Sequence, residues 1–200
     1  MTEKDLTAVL RLVKEIGKLK SIFRSGWLDA GVSPSDVESV ADHSFRVAFI
    51  SMIVSDYIVK ENHDLKIDIE KIVRMALLHD LAETKIGDLH LTATEYIGKE
   101  SKKHAEIKAF EDLVRTIDPQ IKSRYIEIFK EYVAEKTVEA KVVRCADIID
   151  MLLQAEYYRE VGYPRDILKE FWHLEEYVKL CNLPVLEKLL TLIVKMWKEK

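Results

Sequence analysis

Apolar residues recur at three- and four-residue spacing along almost the whole chain. Leu6, Val9, Leu10, Val13, Ile16, Leu19 and Ile22 trace one face of a first helix, and Thr2 with Asp5 three residues on has the spacing of a capping box at its start. A second helix is expected from Ser39, because Ser39 and Asp42 repeat that spacing and put His43 in the first turns. It continues through Phe45, Val47, Ala48, Phe49, Ile50, Ile53, Val54 and Ile58, apolar on most faces, as a central helix would be. A third runs from near Asp68 through Ile72, Val73 and the run Met75-Ala76-Leu77-Leu78 to about Glu83. The Gly, Ser and Pro residues of the stretch from Arg24 to Pro34 read as a loop, and Gly87-Asp88 opens a looser stretch to about Lys99.

Further helices are expected at 101–117 and 119–135, the latter with Asp118 as N-cap and Pro119 in the first turn. Thr137 starts another, through Val142, Val143, Ala146, Ile148, Ile149, Leu152 and Leu153, with Gly162 beyond its end. Segments 165–181 and 184–198 complete the series. No segment of useful length alternates with period two, and there is no repeat or linker. The expectation is an all-α fold: one compact multi-helix domain over 1–200, with a core at about 6–175 and C-terminal helices 165–198 packed on it.

Composition narrows the setting. A hydrophobic share of 48% supports a core, and a net charge of -4 argues against a nucleic-acid polymer as partner. The charged N-terminus lacks a signal-type apolar stretch, and no run approaches a membrane span, so a cytoplasmic protein without a membrane partner is expected. Cys145 and Cys181 form no CxxC pair, and Cys145 in an apolar helix reads as a buried reduced thiol. Abundant Glu and Lys with only two Asn and two Gln resemble a thermophile's composition.

The chemistry is concentrated in His79-Asp80, which follows the run Met75–Leu78. Burying an imidazole and a carboxylate without partners costs several kcal/mol, roughly 2–7 for a neutral polar group. His43 and Asp147 also lie on apolar helical segments, and the four side chains together read as ligands of one divalent metal ion. Two imidazoles and two carboxylates suit Mn, Co, Fe, Ni or Zn better than Cu(I) or Ca, and leave positions for water and substrate. Glu83, four residues after His79 and three after Asp80, is expected on the same helical face, beside the ion. His63 and His173 read as ordinary polar positions. His90 and His104 are the candidates for a second ion, but His104 sits in a charged run, so one metal is favoured.

These residues resemble the H…HD…D signature of the HD-domain metal-dependent phosphohydrolases. The finer pattern is similar to their 5′-deoxynucleotidase branch. The matching stretches are 38–44, 74–83, Gly87-Asp88, and Ala146-Asp147 followed by Leu153-Gln154-Ala155. The loop with Arg24 and Trp27 is also similar. The resemblance implies packed helices and hydrolysis of deoxyribonucleoside 5′-monophosphates to nucleoside and phosphate, supported by Co, Mn or Cu ions, in a homodimer. It implies that His43, His79, Asp80 and Asp147 bind the metal and that Glu83 orients or activates the attacking water. Asp88 would stand on the sugar side against a ribose 2′-hydroxyl, Arg24 would meet the phosphate, and Trp27 would line the pocket. Two rival readings are hydrolysis of another phosphate ester (a nucleoside triphosphate or cyclic nucleotide) and a non-catalytic, metal-stabilised helical interaction protein.

Overall fold

A computed structural model describes residues 1–199. Among these the chain forms α1 (Glu3–Ile16), α2 (Ser25–Ala30), α3 (Val40–Glu61), α4 (Ile69–Leu78), α5 (Glu83–Ile86), α6 (Leu91–Ile97), α7 (Lys99–Leu113), α8 (Pro119–Ala134), α9 (Val138–Glu160), α10 (Arg165–Leu168), α11 (Leu174–Leu180) and α12 (Pro184–Glu199). Short 3-10 turns occupy Gly17–Ser21 and Lys169–Phe171. No strand occurs among the described residues, only an isolated antiparallel bridge between Phe23 and Ser39, so the all-α expectation is met. No helix among them is long and apolar enough to cross a membrane.

The expected helix starts are realised by the groups that defined them. The Thr2 hydroxyl accepts from the Asp5 amide, while Asp5 accepts from the Thr2 amide. Ser39 and Asp42 do the same at α3, with the Asp42 amide donating to Ser39 Oγ at 3.2 Å and the Ser39 amide to Asp42 Oδ2 at 3.0 Å. Each box satisfies amides that the first helical turn leaves unpaired.

The chain divides into two compact units, one of residues 1–45 and 77–134, the other of 46–76 and 135–200. In the first, Phe110 of α7 and Phe129 of α8 stack at 4.1 Å between ring centroids, and both are buried. In the second, α9 contributes more of the interior than any other helix, burying Ala140, Val142, Val143, Cys145, Ala146, Ile148, Ile149, Leu152, Ala155 and Tyr158. Trp172 and Trp197 stack at 4.2 Å in this unit.

Three expectations are corrected. The loop from Arg24 to Pro34 contains α2, seeded by Trp27, which is only 2% exposed and donates its indole N–H to Glu38 at 3.0 Å. Gly31, at φ +96°, ends that helix in the left-handed conformation that glycine adopts without strain. The expected segment 165–181 is broken between α10 and α11 at Trp172 and His173. Cys145 and Cys181 are joined in a disulfide, so Cys145 is not a reduced thiol. Their 36-residue separation carries no local signal; the pairing arises because α9 and the end of α11 meet, with the two Cα atoms 5.6 Å apart.

Candidate metal centre

The helix carrying the His-Asp dipeptide ends earlier than its periodicity suggests. α4 stops at Leu78, and the next amides bond three residues back: Leu81 to the Leu78 carbonyl, Glu83 to Asp80, Thr84 to Leu81. His79 and Asp80 therefore occupy a tight turn, and Glu83 opens a separate short helix, α5. The expectation that Glu83 shares one α-helix with His79 is thus corrected. The three-residue bonds still set Glu83 one turn beyond Asp80.

All of His43, His79, Asp80, Glu83, Asp88, Arg24 and Trp27 belong to the first unit. His43 sits in the first turn of α3, fully buried, with its Nε2 3.4 Å from Nε2 of His79. Asp80 Oδ2 lies 3.5 Å from His43 Nε2 and 3.2 Å from His79 Nε2. That oxygen is buried and finds no well-formed hydrogen-bond donor. Three metal-type donor atoms thus converge within 4.8 Å of one another. A buried carboxylate oxygen without a donor, facing two imidazole nitrogens, is costly by itself and satisfied by a cation. The donor set fits a divalent transition ion. The Tyr132 ring, from α8, packs T-shaped against the His79 ring, with centroids 5.6 Å apart.

The charges around this cluster pull in opposite directions. Burial would raise the Asp80 carboxyl, but the neighbouring His79, then His43 and Arg24, outweigh it and hold the group below the usual carboxylate range. Glu83 is pushed well above that range, first by burial and then by the Asp80 and Asp88 carboxylates, with Arg24 and Lys102 opposing. Its Oε2 is buried without a hydrogen-bond donor. Arg24 Nη1 stands 3.7 Å from Asp80 Oδ2 and 3.9 Å from Asp88 Oδ1. Asp88 accepts at Oδ2 from the Ser25 amide at 2.6 Å and the Ser25 hydroxyl at 3.1 Å.

The remaining candidates have partners of their own. His104 is exposed on α7, matching the solvated face read for it. His90 Nδ1 pairs with Asp29 Oδ2 at 3.2 Å. Trp27 is held in the interior by Glu38. Asp147 belongs to the second unit, on α9, where Arg144 Nη1 donates to its Oδ2 at 2.7 Å. In the same unit Arg46 Nε meets the fully buried Asp150 at 2.8 Å, and Arg46 also donates to Gln154.

Sequence reasoning passed over Ser25, Lys102 and Asp150. Lys102 lies in the run read as a solvated face, yet its Nζ donates to the Leu89 carbonyl at 2.7 Å. Asp150 carried a signal, being a carboxylate three residues after Asp147 in an apolar helix. For Ser25 and Lys102 the spacing held none.

These features define a helical protein with a candidate divalent-metal centre. A family model described as HD domain matches residues 16–177, and the chain belongs to that family. It is similar to the 5′-deoxynucleotidase HDDC2 of Xenopus laevis, at 32% identity over 166 residues, covering 83% of this chain and 77% of that protein. The Dictyostelium discoideum 5′-deoxynucleotidase HDDC2 is 35% identical over 151 residues, 76% of this chain and 77% of its own length. Among solved structures, a conserved hypothetical protein from Pyrococcus furiosus superposes with a TM-score of 0.79 at 38% identity, covering 93% of this chain and 99% of that one.

Proposed function

We propose that this chain is a metal-dependent 5′-deoxynucleotidase, converting deoxyribonucleoside 5′-monophosphates to deoxynucleoside and phosphate. The observation that carries the reading is the convergence of His43, His79 and Asp80, with a buried carboxylate oxygen that no well-formed hydrogen bond satisfies, beside the raised Glu83 carboxyl. The names of the curated relatives point the same way.

His43, His79 and Asp80, joined by Asp147, would hold one divalent transition ion, of Co, Mn, Cu, Ni, Fe or Zn. Such an ion supplies a Lewis acid that polarises a phosphoryl oxygen and makes water a nucleophile near neutral pH. The chain's own groups do the rest. Arg24 offers a two-pronged guanidinium to phosphate oxygens. Its neighbours Asp80 and Asp88 keep it at the cluster. Glu83 accepts a proton from the attacking water, and the burial that raises its pKa makes it a stronger base at neutral pH. Asp88 stands on the sugar side, against a ribose 2′-hydroxyl. Trp27 lines the pocket from the interior and keeps α2, and with it Arg24, in register.

A small monophosphate is favoured over a triphosphate, which calls for several basic residues: of Arg24, Arg46 and Arg74, Arg46 pairs with Asp150 and Arg74 with Glu70. We assign the protein to the cytoplasm as a homodimer, without nucleic-acid or membrane partners. The buried disulfide accords with the intracellular proteins of hyperthermophiles.

A phosphate-release screen tests the function: metal-stripped protein with Mn, Co, Mg or Zn, against dAMP, AMP, dATP and cyclic AMP. Preferential, metal-restored release from dAMP is expected. Release from the triphosphate or the cyclic ester alone would favour the rival reading, and no release with any metal would favour a non-catalytic role.

A further inference from the structure

The stretch that carries Asp88 is fastened by side chains from other elements. Gly87, at φ +75°, turns the chain out of α5. The next residues are gripped by α2: Ser25 holds Asp88 and Asp29 holds His90. Ser25 and Asp29 are four residues apart and share one face of that helix. From the other direction, Lys102 donates to the Leu89 carbonyl.

The Ser25 contacts fall on one oxygen of the carboxylate. The Ser25 amide donates to Asp88 Oδ2 at 2.6 Å, and its hydroxyl lies 3.1 Å from the same oxygen and 3.0 Å from the Asp88 carbonyl. A hydroxyl has one proton, so it is shared between those two acceptors. Bonds to an ionised acceptor are short and strong, which fixes the carboxylate's rotation. Oδ2 is thereby occupied, and Oδ1, which faces Arg24 at 3.9 Å, is the oxygen left to meet a ligand.

We infer that Ser25 is a positioning residue for sugar discrimination, pinning Asp88 so that it cannot turn to accept a ribose 2′-hydroxyl. The inference rests on the reading of Asp88 as the sugar-side carboxylate. Without the Ser25 hydroxyl only the Ser25 amide holds Oδ2, and the carboxylate gains freedom to turn toward the 2′-hydroxyl, so ribonucleotides gain relative to deoxyribonucleotides. Loss of one hydrogen bond to a charged group should lower the dAMP-over-AMP ratio of kcat/KM about tenfold or more.

The test measures that ratio in Ser25→Ala, Ser25→Thr, Ser25→Cys and Asp88→Asn proteins reloaded with Mn. In Ser25→Ala, KM for AMP should fall and the ratio should drop, while Ser25→Thr, which keeps the hydroxyl, restores it. Ser25→Cys, close in size but a weak donor, should shift the ratio in the same direction and serves if the alanine variant does not fold. If Ser25→Ala or Ser25→Cys lowers both substrates equally, or if Ser25→Thr fails to restore the ratio, Ser25 is merely structural and the inference falls. If Asp88→Asn leaves the ratio unchanged, it is the reading of Asp88 that fails. A collapse in Asp88→Asn with none in the Ser25→Ala and Ser25→Cys variants overturns the Ser25 inference alone.

Discussion

Nε2 of His43 and Nε2 of His79 lie 3.4 Å apart, although 36 residues separate them in the chain. Two imidazole nitrogens that close make one weak hydrogen bond at best, and Asp80 Oδ2 faces both. The arrangement fits the proposed ion, which all three donors would share.

Removal of either imidazole should empty the centre. His43→Ala and His79→Ala are expected to bring metal content and phosphate release to background. A ligand at a hundred times its Kd stabilises by about 2.7 kcal/mol, so Mn should raise the melting temperature of the parent protein and leave the variants unmoved. Elemental analysis and thermal melts with and without Mn measure both effects. Retention of stoichiometric metal in either variant would remove that histidine from the ligand set.

Glu83→Gln separates base from ligand. It should keep metal content and lower kcat by roughly 10²–10⁴-fold, the range for a positioned general base. Loss of metal instead would make Glu83 a ligand.

The raised Glu83 carboxyl also predicts how the metal-free protein responds to pH. The folded state binds a proton more tightly than the unfolded state, whose carboxyl keeps its ordinary value of 4.5. The resulting stabilisation is complete below that value and declines as pH rises from there through the raised folded value. Urea unfolding of metal-free protein should therefore show stability falling across this window, and Glu83→Gln should flatten the slope. A parent curve that rises with pH there would contradict the assignment. Asp80, held low, contributes in the opposite sense, and its share is lost only below its ordinary value of 3.8.

The disulfide closes a loop between residues 36 apart. Chain-entropy reasoning gives about 4 kcal/mol for a loop of that length. Cys181→Ser should lower unfolding free energy by up to that amount, with reductant-treated parent approaching the variant. Equal stability of all three would show that the bridge contributes nothing.

Phe129 is 2% exposed and stacked on Phe110. Phe129→Ala should cost about 3–5 kcal/mol in chemical denaturation, because the cavity in a close-packed interior refills only in part. A loss under 1 kcal/mol would indicate that α7 and α8 close over the gap.

What the sequence determined by itself is what local physics governs. The helical period identified an all-α chain, because burial of one face repeats every three to four residues. The capping boxes Thr2/Asp5 and Ser39/Asp42 were legible because donor and acceptor lie three residues apart. His79-Asp80 stood out because polar groups in an apolar run need partners. Only the tertiary structure decided which residues meet. It ended α4 at Leu78, because the chain there turns through three-residue bonds. It joined Cys145 to Cys181, buried Trp27 on Glu38, and brought Lys102 out of a charged run to the Leu89 carbonyl. It set Ser25 against Asp88 across 63 residues. Periodicity reports which face of a helix is buried, not which neighbour buries it. Contacts between distant segments depend on how whole elements pack, and no spacing in the chain records that.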